Sequence, residues 1–226
     1  MPTTETAADV ARRSRVFAAL GDPLRLAVVD ELRRTDRSPK ELAAHLGVPG
    51  NLLAHHLDVL EEVGLIERFV SSGDRRRRYV RLISPVVDAT TGGGDLPASV
   101  LFVCTHNSAR SQLAAAAWNR SVGAAASSAG THPADRVHPG AVDAARRAGL
   151  DLADARPRHL DDVESADLVV TVCDRAHEEL EPDPTWLHWS VPDPVDVGTA
   201  EAFDGALADI DTRIRSLVRG EQGASR

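Results

Sequence analysis

The sequence predicts two domains of different class: a mainly α domain closed by a β-hairpin, then an α/β domain built on a three-layer parallel sheet. Three observations predict this. Residues 8–64 carry helical hydrophobic periodicity, punctuated by helix start and stop signals. Residues 65–83 hold two short apolar runs on either side of Ser71-Ser-Gly-Asp74, a hairpin pattern. Beyond residue 98, apolar runs of strand length alternate with helical stretches. The join, Thr90-Thr-Gly-Gly-Gly-Asp-Leu-Pro97, is a linker by composition, so the division expected is 1–90, linker 91–97, and 98–226.

Taken in order, Ala8 to Leu20 reads as a helix stopped near Gly21. Asp22-Pro23 starts a second, with Leu24, Val28 and Leu32 on one stripe. Ser38-Pro39-Lys40-Glu41 is a capping box: Ser at the cap, Pro at the first helical position, Glu at the third. That helix ends at Gly47. Pro49 opens the next, which runs to Gly64 with Leu53, Leu57 and Leu60 inward. Asn51, His55 and Asp58 then project to the opposite side. His45 and His56 pack at helix edges and are not expected to bind metal. Leu65 to Val70 and Tyr79 to Ile83 read as the hairpin strands, with Arg75, Arg76, Arg77 and Arg78 directly after the turn. Two short helices joined by a tight turn and followed by a basic hairpin make a winged helix-turn-helix. A solvated strand would also account for the arginines; the helix pair in front favours DNA contact.

In the second half, Val100 to Val103 reads as a buried strand and Ser111 to Trp118 as an Ala-rich helix. Between them runs Cys104-Thr-His-Asn-Ser-Ala-Arg110-Ser111, a C-x5-R-S pattern. A strand, a tight loop and a helix N-terminus converge backbone N–H groups on an anion. Cys104 is expected at the loop floor as a thiolate nucleophile. Arg110 is expected to clamp two oxyanion oxygens through its planar fork. The loop residues Thr105, His106, Asn107, Ser108, Ala109 and Ser111 complete the expected anion site. A small buried cysteine in a strand–helix unit is the plainer account, and the motif in this context outweighs it. Further on come a helix ending at Ala148, a buried strand Leu168 to Val172 ending in Cys173-Asp174, and a strand from Trp186 leading to Asp193-Pro194. The last helix bears Phe203, Leu207, Ile210, Ile214 and Leu217 on one stripe.

Charge is unevenly shared. Residues 1–90 hold 14 basic and 13 acidic side chains, and residues 91–226 hold 12 and 21. Bulk attraction to nucleic acid is thereby excluded for the second half. Two cysteines make no disulfide scaffold, and paired thiols in a reducing compartment point to catalysis. The N-terminal residues MPTTETAADVARRSR lack an apolar signal segment, and no apolar run is long enough to span a membrane. A cytoplasmic protein without membrane contact is expected.

Residues 10–88 resemble the ArsR family of bacterial repressors. Phe17-Ala-Ala-Leu-Gly-Asp-Pro-Leu-Arg25 and His55-His-Leu-Asp-Val-Leu-Glu-Glu-Val-Gly-Leu65 carry the resemblance. It implies a homodimer on a DNA operator, with Asn51 and His55 at base edges and Arg75 to Arg78 on phosphates. Arsenic-sensing members bind As(III) through cysteines, often near the first helix of the DNA-reading pair. Residues 1–90 contain none, which excludes a thiolate sensor there.

Residues 98–219 resemble the low-molecular-weight protein tyrosine phosphatase superfamily, and within it the arsenate reductases. Gln112 stands where phosphatases usually have Pro; His188-Trp-Ser-Val-Pro-Asp-Pro194 looks like the reductase acid loop; Val195-Asp196 replaces the aromatic pair that phosphatases carry. The resemblance implies that arsenate or phosphate binds the loop and that Cys104 attacks arsenic. It also implies that Ser111 supports the thiolate, Asn107 fixes the loop and Asp193 is general acid. Cys173 matches the first resolving cysteine, but Leu180 occupies the position of the third, so the relay cannot finish in the usual way. The expected reductant is a small thiol, mycothiol or glutathione, with a redoxin, and no bound cofactor or metal. Ala115 replaces the Glu with which some relatives hold potassium, and His106 replaces a common loop Gly. A phosphatase fused to the regulator, or a repressor with a non-catalytic oxyanion-sensing domain, are the alternatives.

Overall fold

The computed structural model describes residues 7–83 and 96–222, so the expected linker lies mostly outside the described residues. The described residues form two compact units, 7–70 with 77–83, and 96–222 with the hairpin turn 71–76.

The first unit contains α1 (Ala7–Leu20), α2 (Pro23–Leu32), α3 (Pro39–Leu46), α4 (Gly50–Glu62), β1 (Ile66–Val70) and β2 (Arg78–Leu82). Its boundaries follow local chemistry. Asp22 accepts from the amides of Leu24 and Arg25 at 2.9 and 3.1 Å and so caps α2. The Ser38–Glu41 capping box forms in full. Gly47 closes α3 at φ 65, a left-handed conformation that costs glycine nothing. Pro49, expected as the first residue of α4, is instead its N-cap, with φ −61 and ψ 139. Val28, Val29, Leu32, Leu42, Leu53, Leu57 and Leu60 form the core with Val80 of the hairpin. Leu24, expected inside, is only half-buried. It sits in the first turn of α2, beyond the packed stripe.

β1 and β2 pair antiparallel, Ile66 opposite Leu82 and Val70 opposite Arg78. Arg37 adds an antiparallel bridge to Val80, anchoring the hairpin to the segment before α3. Arg68 bonds Glu61 and Asp58 of α4 at 2.8 Å each. Arg75, Arg76 and Arg77 lie in the turn rather than on a strand, and only Arg78 is paired. All four are exposed.

The second unit contains β3 (Ser99–Cys104), α5 (Arg110–Val122), β4 (Ala125–Gly130), α6 (Pro139–Arg147), β5 (Leu168–Thr171), α7 (Asp174–Leu180), β6 (Leu187–His188), α8 (Pro194–Val197) and α9 (Ala200–Gln222). Its sheet runs β4-β3-β5-β6 with every pair parallel. From β3 the chain crosses through α5 to β4 on one side, and from β4 it crosses back past β3 through α6 to β5 on the other. Such a reversal opens a crevice at the strand's carboxyl end, where ligands bind. Cys104 is the last residue of β3.

Phe102 anchors the core at the sheet centre, with ring centroids 6.1 Å from Trp118 and 5.7 Å from Trp189. α5 and α6 both pack on α9, whose buried stripe is the expected Phe203, Leu207, Ile210, Ile214 and Leu217. α7 packs on β3 and β5. Helices thus flank a parallel sheet, as the alternation of apolar runs requires.

Candidate active site

The loop between β3 and α5 is built around Asn107. This residue has φ 48, an unusual conformation for any residue but glycine, and one Asn tolerates better than most. Its side chain secures it from both ends. Nδ2 donates to Ser111 Oγ at 2.8 Å, while Oδ1 accepts from the Arg158 amide at 2.9 Å and from Gln112 Nε2 at 3.1 Å. Gln112 also donates to the Asn107 and Arg156 carbonyls. Gly130 of β4 permits the close approach: a Cβ there would lie 2.6 Å from the Thr105 carbonyl oxygen and 3.0 Å from the Asn107 nitrogen.

Loop carbonyls turn outward. Those of Cys104, Thr105, His106 and Ser108 accept from the amides of Thr131, His132, Ala134 and His138. The amides of His106, Ser108 and Ala109 have no acceptor among the described residues. Free N–H groups beside the start of a helix form an anion nest. Cys104 Sγ lies 3.0 Å from Ser111 Oγ and accepts from the Asn107 amide at 3.2 Å.

Cys104, His106, Ser108, Ala109, Arg110 and Asp193 line one cavity of about 150 Å³. Asn107 and Ser111 are fully buried behind them. Thr105 is buried and faces Cys173 instead, its Oγ1 3.4 Å from that sulfur. Arg110 donates to the Val191 carbonyl at 3.0 Å and to Asp193 at 2.5 Å. Asp193 also caps α8 by accepting from Val195. Arg175, another lining residue, escaped the sequence reading; Val195 and Asp196, which also line the cavity, were noted there only as the replacement for an aromatic pair. The signal for Arg175 was its position two after Cys173, in the first turn of a helix whose brevity hid it.

In the first unit, Asn51 and His55 lie exposed on one face of α4, with Leu53, Leu57 and Leu60 on the other. Among the described residues no three His, Cys, Asp or Glu side chains cluster to hold a metal. No helix of the described residues is long and apolar enough to cross a membrane.

Cys173 is buried at the N-cap of α7, where its sulfur accepts from the Ala176 amide at 3.4 Å. Burial pushes this thiol up, beyond what the Arg110 charge offsets. Behind it lies a buried polar cluster that periodicity could not reveal. Thr171 Oγ1 sits 2.9 Å from both His177 Nδ1 and His188 Nδ1, the two rings stack at 4.1 Å, and His188 Nε2 is 3.1 Å from Asp174 Oδ1. Burial opposes charge on Asp174. The hydrogen bond and charge of His188, with a bond from Ser190, outweigh it and hold this carboxyl well below the usual carboxylate range.

Residues 99–223 match the family model "Low molecular weight phosphotyrosine protein phosphatase", more than half of the chain. The chain belongs to that family. Residues 20–68 match a helix-turn-helix domain, so a helix-turn-helix region is fused to the phosphatase-family domain. Family relatives include an arsenate reductase of Brevibacillus brevis, 35% identical over 53% of this chain and 93% of its own length. One from Bacillus licheniformis is 34% identical over 53% of this chain and 94% of its own. Among solved structures, an arsenate reductase from Archaeoglobus fulgidus is 35% identical, covering 53% of this chain and 98% of that one with a TM-score of 0.47.

The depressed Asp174 value has a definite sign for stability. Its contribution is complete above the unfolded carboxylate value, about pH 4, and is lost as pH falls through the lower folded value. The stability gap between wild type and Asp174→Asn should therefore narrow as pH drops from 5 toward 3 in urea unfolding monitored by tryptophan fluorescence. A gap constant with pH would show that the carboxyl carries no such linkage.

Proposed function

We propose that this chain is an arsenate reductase fused to an ArsR-type DNA-binding regulator of arsenic resistance. The domains are assigned to 1–90 and 98–226, joined by 91–97. The reading rests on one observation above all: the Cys104 sulfur, three unpaired loop amides, Arg110 and Asp193 converge on a cavity sized for a small oxyanion. Curated family relatives over the same residues bear the name arsenate reductase. A phosphatase in the same setting is the second reading. It lacks the expected aromatic pair, since Val195 and Asp196 line that part of the cavity.

Arsenate enters the nest, and its oxygens take the Arg110 fork and the loop amides. This frees the Asp193 carboxyl from Arg110 to face the leaving oxygen. The Cys104 thiolate attacks arsenic, Asp193 protonates the departing oxygen, and water leaves a covalent S–As(V) adduct. A second thiol then attacks Cys104 Sγ. An S–S bond forms, the S–As bond breaks, and arsenic keeps the electron pair, departing as As(III). A small thiol, mycothiol or glutathione, with a redoxin fits this step better than Cys173. That residue is buried, its thiol is pushed up, and Leu180 replaces its expected successor. Asn51 and His55 are assigned to operator bases and Arg75 to Arg78 to phosphates, in a cytoplasmic homodimer.

Cys104→Ser should abolish arsenite formation in an assay with glutathione and a redoxin, and leave operator binding intact in a gel shift. Near-normal turnover would remove Cys104 as nucleophile. Cys173→Ala should keep at least half of the thiol-dependent turnover. A Cys173→Ala protein that binds arsenate yet is dead with every thiol and redoxin would make Cys173 the resolving thiol. A phosphotyrosine analogue run alongside separates the two enzyme readings.

Replacing Arg75 to Arg78 with Ala should weaken operator binding. It should also reduce the slope of log K against log salt by about 0.9 for each phosphate that is no longer neutralised. An unchanged slope in fluorescence anisotropy titrations would mean that the hairpin turn does not touch DNA.

A further inference from the structure

Beside the Cys104 cavity lies a larger hollow that an inorganic oxyanion leaves unused. The cavity of about 150 Å³ suits a small oxyanion and is too small for an organic ligand, whose sites run to about 300–1,000 Å³. The neighbouring groove measures about 440 Å³ and shares His106, Ser108 and Val195 with the cavity as a common wall. Whatever fills the groove therefore borders the adduct on Cys104. Its remaining lining is Ala134 and Pro139, both apolar, with His138 and one full charge, Arg136.

Two features give the groove chemical character. Arg136 has no hydrogen bond or ion pair with another described residue. Its exposed guanidinium is therefore available to a carboxylate brought by a ligand. His138 is fixed in place: its ring stacks on Phe203 at 5.0 Å and 17°, and its Nδ1 accepts from the Gly140 amide at 3.1 Å. The ring's other nitrogen, Nε2, is left to donate. A fixed donor and an unpaired planar cation on an apolar floor suit an organic molecule with a carboxylate.

We propose that this groove seats a low-molecular-weight thiol bearing a carboxylate, paired to Arg136, with its sulfur directed over the shared wall at Cys104. The proposal rests on the reductase reading and names the co-substrate's place. In the step, the bound thiolate attacks Cys104 Sγ, the new S–S bond replaces the S–As bond, and the thiol's proton ends on the departing arsenite. A second thiol then reduces the mixed disulfide. One arsenate and two thiols give one arsenite, one disulfide and one water, with arsenic reduced by two electrons and two sulfurs oxidised by one each.

The full-length protein is titrated with S-methylglutathione, which carries the carboxylates and cannot react, by isothermal calorimetry. Wild type should bind it whether or not arsenate is present. R136A should bind about tenfold more weakly, R136K should retain most of the affinity, and A134W, which fills the groove, should not bind. In turnover assays, the ratio of kcat/KM with glutathione to that with 2-mercaptoethanol should fall about tenfold in R136A. No binding to wild type overturns the proposal. So does binding that neither R136A nor A134W alters, or a neutral glycosidic thiol that binds as well and ignores R136A. Binding that depends on Arg136 in a protein that reduces no arsenate with any thiol would sustain the groove and overturn the reductase reading instead.

Discussion

The catalytic unit depends on holding Asn107 in a left-handed conformation. That single φ of 48 turns loop carbonyls outward and amides inward, and no side chain prefers it. Such a conformation costs on the order of 1–3 kcal/mol and persists only when its surroundings over-determine it. Here they do. Asn107 Nδ2 and Oδ1 are both satisfied, Gln112 clamps the peptide, and Gly130 vacates the space a Cβ would occupy. The same bonds aim Ser111 at Cys104, so loop geometry and sulfur environment are one arrangement. Buried and fully paired, these groups specify a shape as well as stabilising it.

The sheet explains why the loop sits where it does. β3 lies between β4 and β5, and its carboxyl end runs straight into the loop before α5. Phe102, between Trp118 and Trp189, fixes β3 from within two residues of Cys104. On the neighbouring strand, Thr171 joins His177 and His188, and Asp174 joins His188 across to β6. Those buried polar groups give the short strand β6 a defined position, and Trp189 to Asp193 follow directly from it. Asp193 therefore reaches Arg110 from a rigid base. The two cysteines occupy different chemical surroundings despite adjacent strands: Cys104 opens onto a cavity, while Cys173 caps α7 in the interior.

How much of this was legible in the sequence follows from the range of each interaction. Helix boundaries were readable because caps act over three or four residues, as the Ser38–Glu41 box and Gly47 show. The stripes of α4 and α9 were readable because 3.6-residue periodicity survives wherever one face is buried. Strand β4 was not, because Ala-Ala-Ser-Ser-Ala-Gly carries no β-branched residue and pairs for tertiary reasons. The helix α7 was too short to show a period, which hid Arg175 as a cavity residue.

By itself the sequence determined the two-part architecture, the strand–loop–helix around Cys104, and the residue types able to bind an oxyanion and attack it. All of these depend on neighbours close along the chain. Only the tertiary structure decided that Arg110 holds Asp193, that Arg158 and Gly130 complete the Asn107 loop, and that Arg136 and His138 border a groove beside it. Those partners lie tens of residues away. Their meeting is set by parallel strand register and crossover packing, which no local pattern encodes.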